Sequence, residues 1–581
     1  MRLAPVDFVV LALYLGAIFV LGIRLSRRAA GSHSEFFLAG RNLPWWLAGI
    51  SLLATSFSID TPLGIAGLID EHGIAGVWFA WSFAIGGAGM LGYALFSELW
   101  RRSRVMTDAE LVELRYGGRA AAGLRAFKAI YFGVFLNALT LAWVLKAITT
   151  LGEELFGQPP LLLMAVVLAL TLAYSVAAGL WGVVASDVAQ YGLVVGAFVL
   201  LAARAMGKVG GPAGLLAAFT ERYGAAEAQA RLSFIPSPGD AIYGTFLAYV
   251  FLLWWAHKNA SAAGAVVQRL AACRSVGEAR KSTLLFSVGA FALHYWPMVV
   301  LALCALALYP AIPAEQGFVR LLADGVPAGF LGLLLAALLA AFMSTVDSHL
   351  NLSASYLVRD LIGRFLLPKA SEKTLVAWGR VGTVLVLILA GAISMTLDSV
   401  ASAWTLLAQI TSGYGLVTVL RWFWWRINAW SEITALAASA LATLGLRLYG
   451  ADLSFGQELV VVVAVSTPIW VLATALTQPT SNAVLGRFIA LVEPWGWWGA
   501  HGNRVQGLNL RLGVWLFGTL ALLGLNFTIG AAIFANWMLA VTLAAGTGVM
   551  TWCFYRLDDA SREFDRTDGD GPASAAAPES G

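Results

Sequence analysis

Hydrophobic residues along this chain fall into long blocks separated by short polar, often basic, connections. A helix that crosses a bilayer needs about 20 apolar residues. On that measure the blocks predict about fifteen spanning helices, near 6–25, 46–66, 75–97, 123–149, 160–178, 181–205, 240–257, 282–308, 328–358, 375–397, 401–423, 430–449, 457–476, 510–529 and 532–555. Two blocks are interrupted. The second carries Leu53-Ala-Thr-Ser-Phe-Ser-Ile-Asp-Thr-Pro62, with hydroxyls, a carboxylate and a proline inside an apolar frame. Proline lacks an N–H and clashes with the carbonyl four residues back, so the block predicts a broken helix. The seventh has a short apolar run before Trp254-Trp-Ala-His-Lys-Asn-Ala-Ser261, and small residues then lead to Gln268-Arg269. Each interrupted block opens a set of five, so helices two to six and seven to eleven form candidate inverted repeats.

A polar stripe follows the apolar run 328–340. Helical spacing puts Ala341, Ser344, Thr345, Ser348 and Ser355 on one face, with Asp347 and Asn351 at its edge. Lipid offers such groups no partner, so they turn toward a bundle interior or a wet cavity. Hydroxyls beside a carboxylate suit a hard, partly dehydrated cation. The competing reading is interhelical glue, and Asp347 shifts the balance toward function. Asp60 and Asp187 are two further acids inside predicted helices. Each acid costs ~2.5–3.5 kcal/mol at a helix centre on insertion scales.

Composition agrees with a polytopic membrane protein: of 581 residues, 59% are hydrophobic and 12% charged. The net charge of +4 reports loop topology, because no basic patch with interleaved aromatics suggests nucleic-acid binding. Lys and Arg gather in alternate loops, such as Arg101, Arg102, Arg104, Arg115 and Arg119, whereas Asp70, Glu71, Glu153 and Glu154 fall in the others. That bias predicts the N-terminus outside and the C-terminus in the cytoplasm of a cell (plasma) membrane protein. The first helix lacks a basic leader and is read as retained. Residues 430–556 read as additional transmembrane helices and 557–581 as a disordered cytoplasmic tail. Trp422, Trp424, Trp425, Trp430, Trp495, Trp497 and Trp498 beside basic loops read as interfacial belts. Thr107-Asp-Ala-Glu110 reads as a capping box. Cys273, Cys304 and Cys553 have no metal-like spacing. HExxH, GxSxG and Walker A patterns are absent from the sequence, which argues against an enzyme and leaves an ion gradient to drive uphill transport.

Phe36-Phe-Leu-Ala-Gly-Arg41, Leu53-Ala-Thr-Ser-Phe-Ser58, Tyr174 through Gln190, Gln268-Arg269 and Ala341-Phe-Met-Ser-Thr345 occur in order along residues 6–430. With them the chain resembles the sodium/solute symporter family of sugar, proline, pantothenate and sialic acid carriers. The resemblance implies an all-α, LeuT-type five-plus-five inverted repeat with one preceding helix and about four following. The core would be 1–430, with the first helix at 6–25, repeat one at about 46–205 and repeat two at about 240–423. It implies a principal Na+ site from the carbonyls of Ala54, Phe57 and Ala341 and the hydroxyls of Ser344 and Thr345. It implies a second cation site, used by some members, at Asp187, Asp347 and Ser348. Asp347 departs from the hydroxyl usual there, and two carboxylates would hold a cation more tightly or share a proton.

On the substrate side the chain also departs from the sugar carriers. They have Glu and Gln at the positions of Asp60 and Thr61 and tyrosines at those of Trp254 and Trp255, and their next-helix carboxylate is replaced near Ala80 or Trp81. The expected pocket is Asp60, Thr61, Trp81, Asn137, Trp254 and Trp255, aromatic walls with few polar anchors for a small organic solute. The expected function is sodium-coupled import of that solute by alternating access, with sodium and the bilayer as the other partners. A proton-coupled permease of the same fold is the nearest alternative, and a membrane sensor a more distant one. Substrate identity, stoichiometry and oligomeric state are left open by the sequence.

Overall fold

The computed structural model describes residues 3–29, 33–157, 159–397, 399–450 and 452–569, without the side chains of 22, 23, 25–29, 33, 34, 36, 160, 163, 166–179, 372 and 566–569, so that 174–179 of the Tyr174–Gln190 stretch is described in backbone alone. Among the described residues nine helices are long and apolar enough to cross a membrane, ten if a bent pair counts as one span. Shorter apolar helices lie at Pro5–Leu21, Tyr243–Ala256, Val400–Thr411 and Asn482–Val492. The expected spans 160–178 and 181–205 form one helix, Pro160–Val209. The single glycine between them, Gly179, costs a helix only about 1 kcal/mol.

Both expected interruptions are present. The Trp45–Ser56 helix stops at Phe57, and Thr61–His72 restarts with Pro62 in its first turn, where the missing N–H does no harm. The bend between the two parts is 56°. At the second interruption the chain leaves helical geometry at His257 and re-enters at Ala265. The backbones flanking the two broken helices pair: Leu43 N–H donates to the Ala272 carbonyl at 3.0 Å, and Arg274 N–H to the Leu43 carbonyl at 3.1 Å.

Two further segments are less regular than expected. Residues 75–97 do not form one helix, because a 3-10 turn at Ser82–Ala84 and turns over 85–89 intervene before π-helical Gly92–Phe96. The cause is close approach: a Cβ on Gly87 would lie 2.4 Å from the Ala260 carbonyl oxygen of the second interruption. Likewise 401–423 divides into Val400–Thr411 and Gly415–Leu420. A Cβ on Gly415 would meet the Trp255 carbonyl oxygen at 2.3 Å.

The core is apolar, but buried charge ties its elements together. Asp7 accepts the N–H groups of Gly329 at 2.8 Å and Gly332 at 2.7 Å, anchoring the first helix to the start of Phe330–Ser355. Glu432 accepts from Tyr116 at 2.6 Å, Tyr414 at 2.7 Å and Arg421 at 3.1 Å, with Lys128 3.7 Å away. The Thr107 hydroxyl accepts the Glu110 N–H at 3.1 Å, half of the expected box. The Glu110 carboxylate takes the Met106 N–H instead.

Two expectations fail at this level. Trp422, Trp495 and Trp498 are buried, with Arg115 over the Trp498 ring at 5.1 Å. Backbone pairing of Trp424 with Trp497 folds the two aromatic clusters onto each other, so a core replaces much of the predicted belt; Trp430 and Trp497 stay exposed. The last helix, Trp537–Gly569, runs past the expected tail boundary at 557. Asp558 is buried there, accepting from Tyr93 at 2.9 Å and pairing with Arg280 and Arg562. Internal partners outweigh an acidic composition. The remainder of that tail, 570–581, lies outside the described residues.

Candidate functional site

Breaking a helix at Ser56 frees backbone carbonyls that would otherwise accept from the next turn. Phe57 N–H still reaches the Leu53 carbonyl at 3.0 Å, but Ser58 N–H turns to the Thr61 hydroxyl at 3.1 Å. The Ala54 and Thr55 carbonyls thus face the polar stripe of Phe330–Ser355. Ser344 Oγ lies 3.1 Å from the Ala54 carbonyl and 3.1 Å from that of Ala341. Thr345 Oγ1 lies 3.4 Å from the Thr55 carbonyl and 3.2 Å from that of Ala341. Phe57, the residue that ends the helix, is buried beside them. A hard cation holding oxygens at about 2.3–2.6 Å separates neighbouring ligands by about 3.3–3.7 Å in regular geometry. The oxygens gathered here are spaced close to that, and their side chains are buried.

Of the three residues expected at a second cation site, Asp187 and Ser348 meet in one network through Ser51 and Arg269. Asp187 accepts from Ser51 Oγ at 2.5 Å, and Ser348 Oγ lies 2.9 Å from Thr55 Oγ1. Asp347 belongs to another face, one residue and therefore about 100° round the helix from Ser348. It shares that face with Met343, whose sulfur takes the Tyr14 hydroxyl at 3.8 Å, and Asp347 acts electrostatically on Tyr14.

Of the expected pocket residues, Asp60 and Thr61 sit at the first interruption. Asp60 accepts from the Trp404 indole N–H at 3.1 Å, and Thr61 is held by Ser58. Asn137, Trp254 and Trp255 make contacts elsewhere, whereas the indole N–H of Trp81 is buried without a hydrogen-bond partner. Trp81 packs among Trp78, Trp296 and Phe527. Asn137 donates to Ser353 Oγ at 3.0 Å and meets His349 Nδ1 at 2.8 Å. Trp254 leans on Trp515, ring centres 5.4 Å apart, and the Trp255 indole donates to the Phe251 carbonyl at 2.6 Å. The late helix Leu508–Ile533, invisible to local patterning as a neighbour, supplies Trp515 and Phe527.

Three residues take their place. Both ring nitrogens of His294 are buried without a hydrogen-bond partner, and Asp60 and Ser58, buried beside them, interact with each other. His294 ends a π-helical stretch, Gly289–His294, and packs edge-on against Phe57 at 5.1 Å. π-Bulges recur at functional sites. Trp404 stacks on Phe79 at 6.1 Å and 8°. Buried polar groups are normally paired, so the His294 nitrogens point to a ligand that pairs them. A lone histidine in a helix carried no sequence signal, and Trp404 lies 344 positions from Asp60.

The family model described as "Sodium:solute symporter family" matches residues 36–438. The chain belongs to the sodium:solute symporter family. It is 27% identical over 489 residues to a "Sodium/glucose cotransporter" of Vibrio parahaemolyticus, covering 79% of this chain and 88% of that protein. It is 26% identical over 486 residues to the "Sodium/sialic acid symporter SiaT" of Proteus mirabilis, covering 78% and 91%. Among solved structures, a substrate-bound, outward-open Na+-coupled sialic acid symporter superposes with TM-score 0.69 at 21% identity, covering 82% and 99%. That likeness is one of fold, and the fold is LeuT-type. This family member is a multi-pass membrane transporter, not an enzyme, and Na+ is its co-transported ion.

Proposed function

We propose that this symporter binds one Na+ with the carbonyls of Ala54, Phe57 and Ala341 and the hydroxyls of Ser344 and Thr345. It carries inward a small solute held at Asp60, Thr61, Ser58, His294 and Trp404. The convergence of Ser344 and Thr345 on the carbonyls freed at the first interruption carries the ion assignment. The unpartnered polar atoms beside it carry the solute assignment. Phe57 connects the two, since it ends the first half-helix and touches His294. Filling one site therefore orders the other, which is the coupling that alternating access requires. An acceptor at Asp60, a hydroxyl and an imidazole beside stacked aromatic faces suit a solute with hydroxyl or amine donors and an apolar face. The basic-loop bias supports a plasma-membrane orientation with the N-terminus outside and the C-terminus in the cytoplasm.

The test is a thermal-shift screen of a sugar, polyol, amine and amino-acid library on the purified full chain, in sodium and again in choline. A ligand at 100 times its Kd stabilises by about 2.7 kcal/mol. That shift should appear in sodium and shrink in choline, and Ser344→Ala with Thr345→Ala should remove the difference. Ligand shifts of equal size in both salts would refute sodium coupling through this site. A shift that follows pH and ignores sodium would favour the proton-coupled alternative.

A further inference from the structure

The helix Asn482–Val492 buries Leu485, Phe488, Ile489 and Val492, a spacing of three and four that leaves Arg487 on its opposite, exposed side. The helix Ser97–Ser103 ends at Arg104, which is left-handed with φ 55° and gives its carbonyl to Arg41 Nη2 at 2.6 Å. Residues with a Cβ seldom take that conformation. Arg104 and Arg487 border a cavity of about 390 Å3, together with Ser103, Glu110, Glu113 and Arg125. The cavity shares no residue with the ion or solute site.

The carboxylates in its wall are already matched. Glu113 accepts from Arg364 through both oxygens, each at 3.0 Å, and from Arg125 at 2.6 Å. Glu110 accepts from Arg359 and from the Met106 N–H, each at 2.8 Å. Asp360 takes Arg125 at 2.8 Å and the Thr107 hydroxyl at 2.6 Å. Arg125, Arg359 and Arg364 thus answer three carboxylates, whereas the guanidiniums of Arg104 and Arg487 pair with no group among the described residues. The surplus charge is felt nearby. Burial and then Arg101 lower the Arg41 guanidinium from its usual value, Arg104 and Arg359 lower it further, and Glu110 opposes them. Loop bias alone places basic residues at this end, but it does not build a cavity between two unpaired guanidiniums.

Apolar surface leads away from the same place. Arg364 lies over the Phe365 ring at 5.3 Å, and Phe365, Leu366 and Leu367 are exposed where the spanning helix Phe330–Leu366 ends. Phe127 and Ile130, on the helix that carries Arg125, are exposed as well. Guanidinium forks match the oxygens of a phosphate. A basic pocket at the edge of exposed apolar side chains suits a phospholipid, whose chains a free anion lacks.

We propose that this cavity binds the headgroup phosphate of an anionic phospholipid, with Arg104 and Arg487 as its partners and the acyl chains along Phe365, Leu366 and Leu367. The site is independent of the sodium and solute readings. Native mass spectrometry of the purified full chain, titrated in detergent with phosphatidylglycerol or phosphatidylcholine, counts bound lipids directly. One phosphatidylglycerol should bind about tenfold or more tighter than phosphatidylcholine. At about fivefold per arginine facing an anionic lipid, Arg104→Gln with Arg487→Gln weakens phosphatidylglycerol ~25-fold. Arg119→Gln with Lys373→Gln removes the same charge from exposed positions outside the cavity and should change binding less than about twofold. Equal affinity for the two lipids, or equal losses in the two double variants, overturns the proposal. Equimolar inorganic phosphate leaves the lipid bound; if it displaces the lipid, the cavity belongs to a free anion and the lipid assignment falls. If the first double variant does not fold, Arg487→Gln alone decides, with a loss of about fivefold expected and an unchanged affinity against the proposal.

Discussion

Glu432→Gln isolates what a buried charge does in this fold. The carboxylate is shielded from solvent and accepts from two tyrosine hydroxyls, at 2.6 and 2.7 Å, and from Arg421 at 3.1 Å. Lys128 lies 3.7 Å away, itself 1% exposed. The substitution keeps shape and volume but deletes the charge and replaces one acceptor with an N–H2 donor pointed at donors. Hydrogen bonds to charged groups contribute about 1.5–3 kcal/mol each, so three of them set an upper bound of about 9 kcal/mol. Relaxation and water entry lower the observable cost of breaking a buried pair to about 3–5 kcal/mol. The assay is reversible unfolding in mixed micelles by SDS titration, followed by tryptophan fluorescence, to which the 23 Trp residues lend signal. Removing Arg421 as well, as Arg421→Met, takes away the charge that Glu432→Gln strands. The double variant should therefore be more stable than the sum of the single effects by about 0.5–3 kcal/mol. A loss below about 1 kcal/mol for Glu432→Gln, or strict additivity with Arg421→Met, would refute the reasoning.

Other consequences are as direct. Gly64→Ala drives a methyl toward the Trp404 ring, 2.5 Å from the ideal Cβ. It should weaken solute-dependent thermal shifts at least tenfold in midpoint, as Asp60→Asn should, with the melting point in sodium alone little changed; an unaltered midpoint in both would remove Asp60 and Trp404 from the solute site. Burial raises the Glu113 carboxyl, but Arg364 and Arg125 outweigh it and hold the group below the usual carboxylate range. A depressed folded value stabilises above the unfolded value of about 4.3 and loses that contribution as pH falls through the folded value. The melting point of the wild type should therefore drop more below pH 4.3 than that of Glu113→Gln, and parallel curves would contradict the pairing. Ending the chain at 556 removes Asp558 from Arg280 and Tyr93. Stability should fall by about 3–5 kcal/mol in the same SDS titration, against no change if the segment were a loose tail.

Much of the architecture was readable because lipid imposes a strong rule on local sequence. Backbone groups must be satisfied within a helix, so block length marked the helices, and Pro62 with Asp60 marked the first break. Ser344 and Thr345 were readable for the same reason: hydroxyls at helical spacing in an apolar run need a polar neighbour. Glycine exposed the limit of such reading. Gly179 sits within a continuous helix, whereas Gly87 and Gly415 are fixed by backbones approaching from the second interruption.

Which polar groups meet was decided only by tertiary packing. Asp347 and Ser348 are adjacent in sequence, yet one acts electrostatically on Tyr14 and the other accepts from Arg269. Trp404 reaches Asp60, Trp515 claims Trp254, and Asp558 is buried by Arg280. Sequence by itself determined where this chain could tolerate oxygen inside a membrane, because that cost is local. Whether an oxygen serves a sodium ion, a solute or the chain's own guanidinium depends on contacts between residues up to 469 positions apart, and no local periodicity encodes those.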